Sequence, residues 1–350
     1  MAVFSSADLD NHEKVIFVND NASGLQAIIA IHNTRLGPAI GGLRFWPYQN
    51  ESEALSDVLR LSRGMSYKCA ISDIPFGGGK SVVIQGHGFH KTPELLRKMG
   101  QAIGELNGQY ITGEDVGSTV EDMLSLRQET DHVMGAPLDQ GGSGDPSPMT
   151  ALGCFEGIKA SVKSRFSTDD LKGVRVAVQG LGNVGWNLCK QLHAVGAILF
   201  VSDISDSTAS RCAEVFGATM VDINDIYGVD VDVFSPCAMG GVINDKTISR
   251  LKAKVVAGGA NNQLATEAHG RQLQEMGILY APDYVINAGG VIQFAFERQA
   301  YNEQKPFNPD LVNPKVASIY NTLEDIFRMA EEEEIPTNLA ADRIAEERMM

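Results

Sequence analysis

The 350-residue chain is short of cysteine, of clustered histidine and of positive charge. Its five cysteines, Cys69, Cys154, Cys189, Cys212 and Cys237, show no Cys-x-x-Cys spacing, which points to a reducing cytoplasm. The seven histidines form no His-Glu-x-x-His or similar ligand set, so no metal site is expected. Lys and Arg number 29 against 44 Asp and Glu, a net charge of −15 that argues against nucleic acid or an anionic membrane as partner. Any anionic ligand must then be held by local lysines and helix N-termini. No stretch is long or apolar enough to span a bilayer, and no basic run followed by an apolar core reads as a signal peptide. What is present is an ordinary globular composition, 43% hydrophobic and 21% charged. The length suggests two domains of roughly 100–200 residues each.

The chain is organised around Lys68 to Lys80, which reads Lys-Cys-Ala-Ile-Ser-Asp-Ile-Pro-Phe-Gly-Gly-Gly-Lys. An amphipathic helix precedes it, with Leu55, Val58, Leu59 and Ser62 on one face and Met65 and Lys68 continuing the row. Asn50 caps that helix, with Glu53 expected to close a capping box. One lysine thus leaves a helix and the other a glycine loop, before an apolar strand Val82-Val83-Ile84. Three glycines let a small molecule approach backbone N–H groups beside the second amine. Two close, buried lysines lower each other's pKa, which would make one of them a base. A plain glycine turn flanked by two surface lysines is the alternative.

Before this stretch, Val15–Val18 and Ala27–Ile31 read as strands, followed by a strand-like Ala39-Ile-Gly-Gly-Leu-Arg44. After it come a helix from Thr92 to Leu106 and a short strand Tyr110–Gly113. Glu114-Asp115-Val116-Gly117 then suits either catalytic side chains or the start of a helix at Ser118-Thr119. Gln140 to Pro148, rich in glycine, serine and proline, is a linker and a candidate hinge. From Met149 onward a helix leads into alternating strands and helices, the pattern of a parallel sheet.

The strand Val174–Gln179 runs straight into Gly180-Leu-Gly182-Asn183-Val184-Gly185 and a helix. The first glycine makes the turn, the second admits a pyrophosphate, and the third lets helix and strand pack. The next strand ends at Asp203, where a carboxylate binds ribose hydroxyls and repels a 2′-phosphate, favouring NAD over NADP. Three further segments read as strands of the same sheet: Val231–Phe234, Lys254–Ala257 and Val285–Val291. Their ends would place Cys237, Ala238, Asn261, Asn262 and Gly289 beside the ligand. A mostly helical tail follows Ile292, with Glu331–Glu334 as a solvated face.

These motifs together resemble the amino-acid dehydrogenase superfamily of glutamate, leucine, phenylalanine and valine dehydrogenases. The likeness is carried by Gly37-Pro-Ala-Ile-Gly-Gly-Leu-Arg44, Trp46-Pro-Tyr48, Arg60–Met65, Lys68…Lys80, Glu114–Gly117, the Gly180 loop and Asn287-Ala-Gly-Gly290. It spans nearly the whole chain in order, and the leucine-type enzymes are the nearest branch. It implies an α/β fold in two parts. An N-terminal α/β substrate domain covers 1–140, a Rossmann-type doubly wound dinucleotide-binding domain covers 149–325, and the active site lies in the cleft between them. Helices of about 325–350 are expected to pack back on the first domain.

By resemblance, Lys68 pairs with the substrate α-carboxylate, Lys80 activates water, and Asp115 exchanges protons with the amino group. Thr150 and the Asn261-Asn262 pair stand near the nicotinamide and the substrate carboxylate, and Ile40, Gly41, Met65, Gly113, Val291 and Phe294 line the side-chain pocket. The implied reaction is hydride transfer to NAD, giving a 2-oxo acid and ammonia, in a homo-oligomer that is an octamer or, alternatively, a dimer. Glutamate dehydrogenases carry lysine and serine at the places of Ile40 and Phe294. Here both are apolar, so a distal carboxylate would be buried unpaired. Gly113 stands where the leucine-type enzymes have alanine and Phe294 where they have valine, one adding room and one removing it. Leucine, isoleucine and valine lead as substrates, with phenylalanine or another aromatic amino acid behind. A metal-dependent oxidative decarboxylase lacks its carboxylates here. A non-catalytic relative would be expected to have lost Lys80 or Asp115.

Overall fold

The computed structural model describes residues 3–86 and 88–350. They fall into two compact units, the first comprising the chain up to Asp145 with Phe294–Asn308 and Ala345–Met350, the second Pro146–Gln293 with Pro309–Ile344. No helix among the described residues is long and apolar enough to cross a membrane.

In the first unit the order is β1 (Lys14–Asp20), β2 (Leu25–Asn33), β3 (Ala39–Ile40), β4 (Leu43–Trp46), α1 (Glu51–Ile71), β5 (Gly77–Ile84), α2 (Pro93–Gly104), β6 (Tyr110–Ile111) and α3 (Val120–Arg127). The sheet runs β1-β2-β5-β3-β6, with β4 also on β5. β1, β2 and β5 are antiparallel neighbours, whereas β3 and β4 run parallel to β5. One face buries Ile28, Ala30 and Val82 under Ala54, Leu55, Val58 and Leu59 of α1. The other buries Leu25, Ala27, Ile29 and Val83 under Leu95, Met99, Ile103, Met123 and Leu126 of α2 and α3. Each of the larger of these, the valines, leucines, isoleucines and methionines, contributes roughly 1.5–3 kcal/mol when fully buried.

The helix limits follow from their caps. Asn50 accepts the N–H of Glu53 at 3.0 Å, but Glu53 reaches back to Gln49, one residue before the cap, so the expected box is offset. Thr119 and Asp122 do form a reciprocal capping box at the start of α3.

The triple glycine is not a loop. Gly77, Gly78 and Gly79 open strand β5, hemmed in on both sides. A Cβ on Gly78 would lie 2.0 Å from the Ser66 nitrogen, and one on Gly79 would lie 2.7 Å from the Tyr110 ring. Glycine is required here for close approach within a paired strand. Beyond it, Lys80 faces α1, while Ser81 faces away and its Oγ lies 2.9 Å from the Tyr110 hydroxyl.

The second unit begins with α4 (Ser147–Phe166) and continues through β7 (Arg175–Gln179), α5 (Asn183–Ala194), β8 (Ile198–Ser202), α6 (Asp206–Phe216), β9 (Thr219–Met220), β10 (Val233–Pro236), β11 (Val255–Val256), α7 (Ala268–Glu275) and β12 (Leu279–Tyr280). Its sheet has the order β12-β11-β10-β7-β8-β9, every pairing parallel. The order reverses between β10 and β7, the switch point of a doubly wound sheet.

The expected strand at Val285–Val291 is instead helical, as α8 (Asp283–Ile286) and α9 (Gly289–Asn302), and Leu279–Tyr280 is the last strand. Asp283 accepts the N–H of Gln263 at 2.8 Å and the hydroxyl of Tyr280 at 2.9 Å, which turns the chain out of the sheet after Pro282.

The remaining helices are α10 (Val312–Ala317), α11 (Ile319–Glu332) and α12 (Thr337–Met349). The tail does not return to the first unit as one piece. Residues up to Ile344 stay with the second, where Thr337 donates to the Tyr280 carbonyl at 2.7 Å and Tyr284 to Asp342 at 2.8 Å. Only Ala345–Met350 joins the first, through Tyr67 donating to Glu346 at 2.6 Å and Arg348 to the Ile71 carbonyl at 2.6 Å.

Candidate active site

Lys80 is the centre of the first unit's polar cluster. The pairing of Ala30 with Lys80, and of Val82 with both Ile28 and Arg44, sets Lys80 and Arg44 on one face of the sheet. That face is the one α1 covers, and Lys80 is only 6% exposed. Its Nζ contacts Oδ2 of Asp115, which follows β6. Oδ1 of the same carboxylate accepts the N–H of Val116 at 2.5 Å and lies 3.4 Å from Nη2 of Arg44. Burial draws the Lys80 amine down to about 7, the cations Arg44 and Lys68 add to this, and Asp57 opposes it.

Lys68 stands in the last turn of α1, with Met65 one turn before it. Gly41 packs on β5 so tightly that a Cβ would lie 1.8 Å from the Gly79 carbonyl oxygen. Ile40 is fully buried between β5 and β6. A Cβ built on Gly113 would meet only the Met134 carbonyl oxygen, at an ordinary 3.7 Å. The Phe294 ring borders the next residue, Gly135, at the same distance from its built Cβ, 3.7 Å. Gly113 and Phe294 therefore flank one short segment of chain.

Four residues at this site were not assigned roles from the sequence. Arg44 bridges Asp115 and Asp57, its Nη1 lying 2.9 Å from Asp57 Oδ2. Tyr48 donates to that same oxygen at 2.6 Å, and burial with the Asp57 carboxylate pushes its phenol well above the usual range. The signal for Arg44 was a guanidinium ending an otherwise apolar, glycine-rich strand. Glu297, 3% exposed on α9, accepts the N–H groups of Gly135 at 3.0 Å and Ser143 at 3.1 Å. It fixes the loop beside Phe294 three residues earlier on the same helix.

The remaining predicted residues stand in the second unit. Gly180 turns with φ +92° and is packed on Ala238, and a Cβ on Gly185 would lie 2.0 Å from the Gly180 carbonyl oxygen. Gly182 differs: its built Cβ meets nothing within 4 Å. The N-terminus of α5, with Asn183 and Val184 in its first turn, thus opens onto space suited to a pyrophosphate. Asp203 accepts N–H groups from Leu181 at 2.6 Å and Ser205 at 2.9 Å. Cys237 follows β10, half-buried, and burial pushes its thiol up. The Asn287 amide donates to Asn261 Oδ1 at 2.7 Å, and Asn262 has φ +50°. Thr150 lies in the first turn of α4 and donates to Pro146 at 3.1 Å; Val291 lies in α9. Gly289, expected at a strand end, opens α9 instead.

Two family models match the chain. One, for the Glu/Leu/Phe/Val dehydrogenase dimerisation domain, covers residues 12–132, and the other, for the glutamate/leucine/phenylalanine/valine dehydrogenases, covers 141–214 and 200–350. The chain is 52% identical over 349 residues to leucine dehydrogenase of Geobacillus stearothermophilus, covering 100% of this chain and 94% of that protein. It is 49% identical over 350 residues to L-tryptophan dehydrogenase of Nostoc punctiforme, with 100% and 96% covered. The crystal structure of L-tryptophan dehydrogenase from Nostoc punctiforme aligns with a TM-score of 0.85 at 48% identity, over 97% of this chain and 96% of that one.

Proposed function

We infer that this chain, which belongs to the glutamate/leucine/phenylalanine/valine dehydrogenase family, is an NAD-dependent oxidoreductase that deaminates an apolar L-amino acid to its 2-oxo acid and ammonia. The same site runs the reverse reductive amination. Leucine, isoleucine and valine are its substrates. The observation that carries this reading is the buried Lys80, drawn down to about 7 and in contact with Asp115. A general base poised near the working pH is what proton abstraction from water requires.

The dinucleotide, when bound, supplies the hydride acceptor. The start of α5, left open by Gly182, would hold its pyrophosphate, with Gly180 making the turn and Gly185 the close packing, and Asp203 would take the ribose hydroxyls. In the first unit Lys68 pairs with the α-carboxylate of the substrate. Lys80, uncharged above about pH 7, takes a proton from the water that replaces nitrogen at the α-carbon. Asp115 exchanges a proton with the amino group through Oδ2, since Oδ1 is occupied by Val116 and Arg44. Amino acid, NAD⁺ and water thus give 2-oxo acid, ammonium and NADH with one proton released.

An aromatic side chain is the second reading. It is favoured by the absence of a side chain at Gly113 and by the 49% identity to a protein named for tryptophan. NADH formation measured with a panel of twenty amino acids, with and without EDTA, decides between the two. Turnover of branched-chain substrates unaffected by EDTA is expected, and no turnover of any amino acid would overturn the reading. The assembly is a homo-oligomer, an octamer, which light scattering on the purified chain tests directly.

A further inference from the structure

Lys80 and Asp115 do not stand alone. The charged groups facing them come from three elements: Arg44 from β4, Asp57 and Lys68 from α1, and Asp115 itself from the segment after β6. Arg44 touches both carboxylates, at 2.9 Å to Asp57 and 3.4 Å to Asp115. Its Nε is buried without a hydrogen-bond partner among the described residues, a cost that packing alone does not explain. Asp57 is in turn fixed by the Tyr48 hydroxyl at 2.6 Å.

We propose that Arg44 is a positioning residue for the Lys80–Asp115 pair, joining the Val116 N–H in holding Oδ1 of Asp115 so that Oδ2 stays turned to the Lys80 amine, with Asp57 and Tyr48 holding the guanidinium in place. The purpose of the pair rests on the dehydrogenase reading above, but the arrangement itself does not. An unpinned carboxylate can rotate about its χ2 bond and offer either oxygen, whereas a pinned one keeps a single oxygen against the amine. The guanidinium also repels the ammonium form of Lys80, while Asp57 attracts it. The two neighbours therefore act on the amine with opposite sign.

That opposition provides the test. Arg44→Met removes a cation and leaves two carboxylates, so Lys80 should hold its proton longer. The acid limb of kcat/KM for leucine should move to higher pH by roughly one unit, and kcat should fall about tenfold because Asp115 keeps only the Val116 N–H to hold its Oδ1. Asp57→Asn removes an anion of nearly the same shape, so the limb should move to lower pH. Arg44→Lys keeps the charge without the two-armed fork, so its limb should stay near that of the unmodified protein while kcat stays reduced.

The same ionisation is read without turnover from the pH dependence of Lys80 acetylation by acetic anhydride, followed by mass spectrometry. If no amino acid is turned over, the functional reading fails and the labelling still judges Arg44. Opposite shifts in Arg44→Met and Asp57→Asn support the proposal. Unmoved limbs, or shifts of the same sign, overturn it. Should Arg44→Met fail to fold by circular dichroism, a limb moved to lower pH in Asp57→Asn with a reduced kcat in Arg44→Lys supports the proposal, and an unmoved limb in Asp57→Asn or a full kcat in Arg44→Lys overturns it.

Discussion

Asp203 accepts the backbone N–H of Leu181 at 2.6 Å, tying the end of β8 to the middle of the glycine loop after β7. The residue proposed to select the dinucleotide therefore also braces the loop that would hold it. Replacing Asp203 with asparagine should relatively improve NADP over NAD, because the charge that repels a 2′-phosphate is gone while one accepting oxygen remains. Alanine should show the same change in preference with weaker binding of both dinucleotides, since the brace is lost. Dissociation constants by calorimetry check this, and an unmoved preference would show that Asp203 does not meet the ribose.

Lys80→Ala should abolish deamination while NAD binding stays within a few-fold of the unmodified protein. Lys80 belongs to the first unit and the glycine loop to the second, so loss of the amine leaves the loop untouched. Fluorescence titration with NADH, beside a turnover assay, separates the two effects. Near-normal turnover in the variant would remove Lys80 from the mechanism.

Phe294→Val should favour large side chains. Trimming the ring beside Gly135 deepens an apolar hollow, and each buried methylene gains about 0.8 kcal/mol. A short substrate leaves the new space empty. The ratio of kcat/KM for phenylalanine over valine should rise about tenfold, corresponding to roughly 1.4 kcal/mol. Gly113→Ala should push the ratio the other way without harming the fold, since its Cβ would meet only an ordinary contact at 3.7 Å. An unchanged ratio in both variants would place residues 113 and 294 outside the pocket.

Stability should fall in mild acid because of His32. This ring is 5% exposed, sits at the irregularity where β2 leaves register with β5, and shares a hydrogen bond of 2.8 Å with Ser66. Burial, with the neighbouring His12, lowers it from 6.5 to about 4. The unfolded chain then takes up a proton between those values that the folded chain refuses, so stability is full above pH 6.5 and is lost as pH falls toward 4. Urea midpoints at pH 7 and pH 5 should differ less in His32→Gln than in the unmodified protein. An equal drop in both would assign the acid sensitivity to other groups.

What the sequence made legible is what it keeps contiguous. The dinucleotide loop, from Arg175 to Ala194, is a strand, a turn and a helix in one stretch, so each glycine could be given its reason before the fold was known. The triple glycine reads as a loop because glycine weakens an isolated strand, and it takes Ser66 of α1 and Tyr110 of β6, packed against it, to reveal why it is needed. Val285–Val291 was misread because a short apolar run suits a strand or a buried helix equally, and the deciding contacts of Asp283 come from Gln263 and Tyr280. Arg44 was visible as a residue, but its partners Asp57 and Asp115 lie on different elements.

The bare start of β5 also bears on how the chain finds its threading. Gly77, Gly78 and Gly79 offer no side chains by which neighbouring strands could recognise an alignment, and Val82 and Val83 are interchangeable across the two faces. A slip of one residue reverses which face each side chain meets. Beyond the close approach that Gly78 and Gly79 require, the polar pair that follows is distinctive, Lys80 meeting Asp115 on one face and Ser81 meeting Tyr110 on the other. Slipped by one, Lys80 would enter the apolar layer beside Ile29 and Ile31, a penalty of several kcal/mol for an unpaired buried charge. The two adjacent polar residues thus act as a key that admits a single alignment, and Ser81 keeps half of that key when Lys80 is replaced.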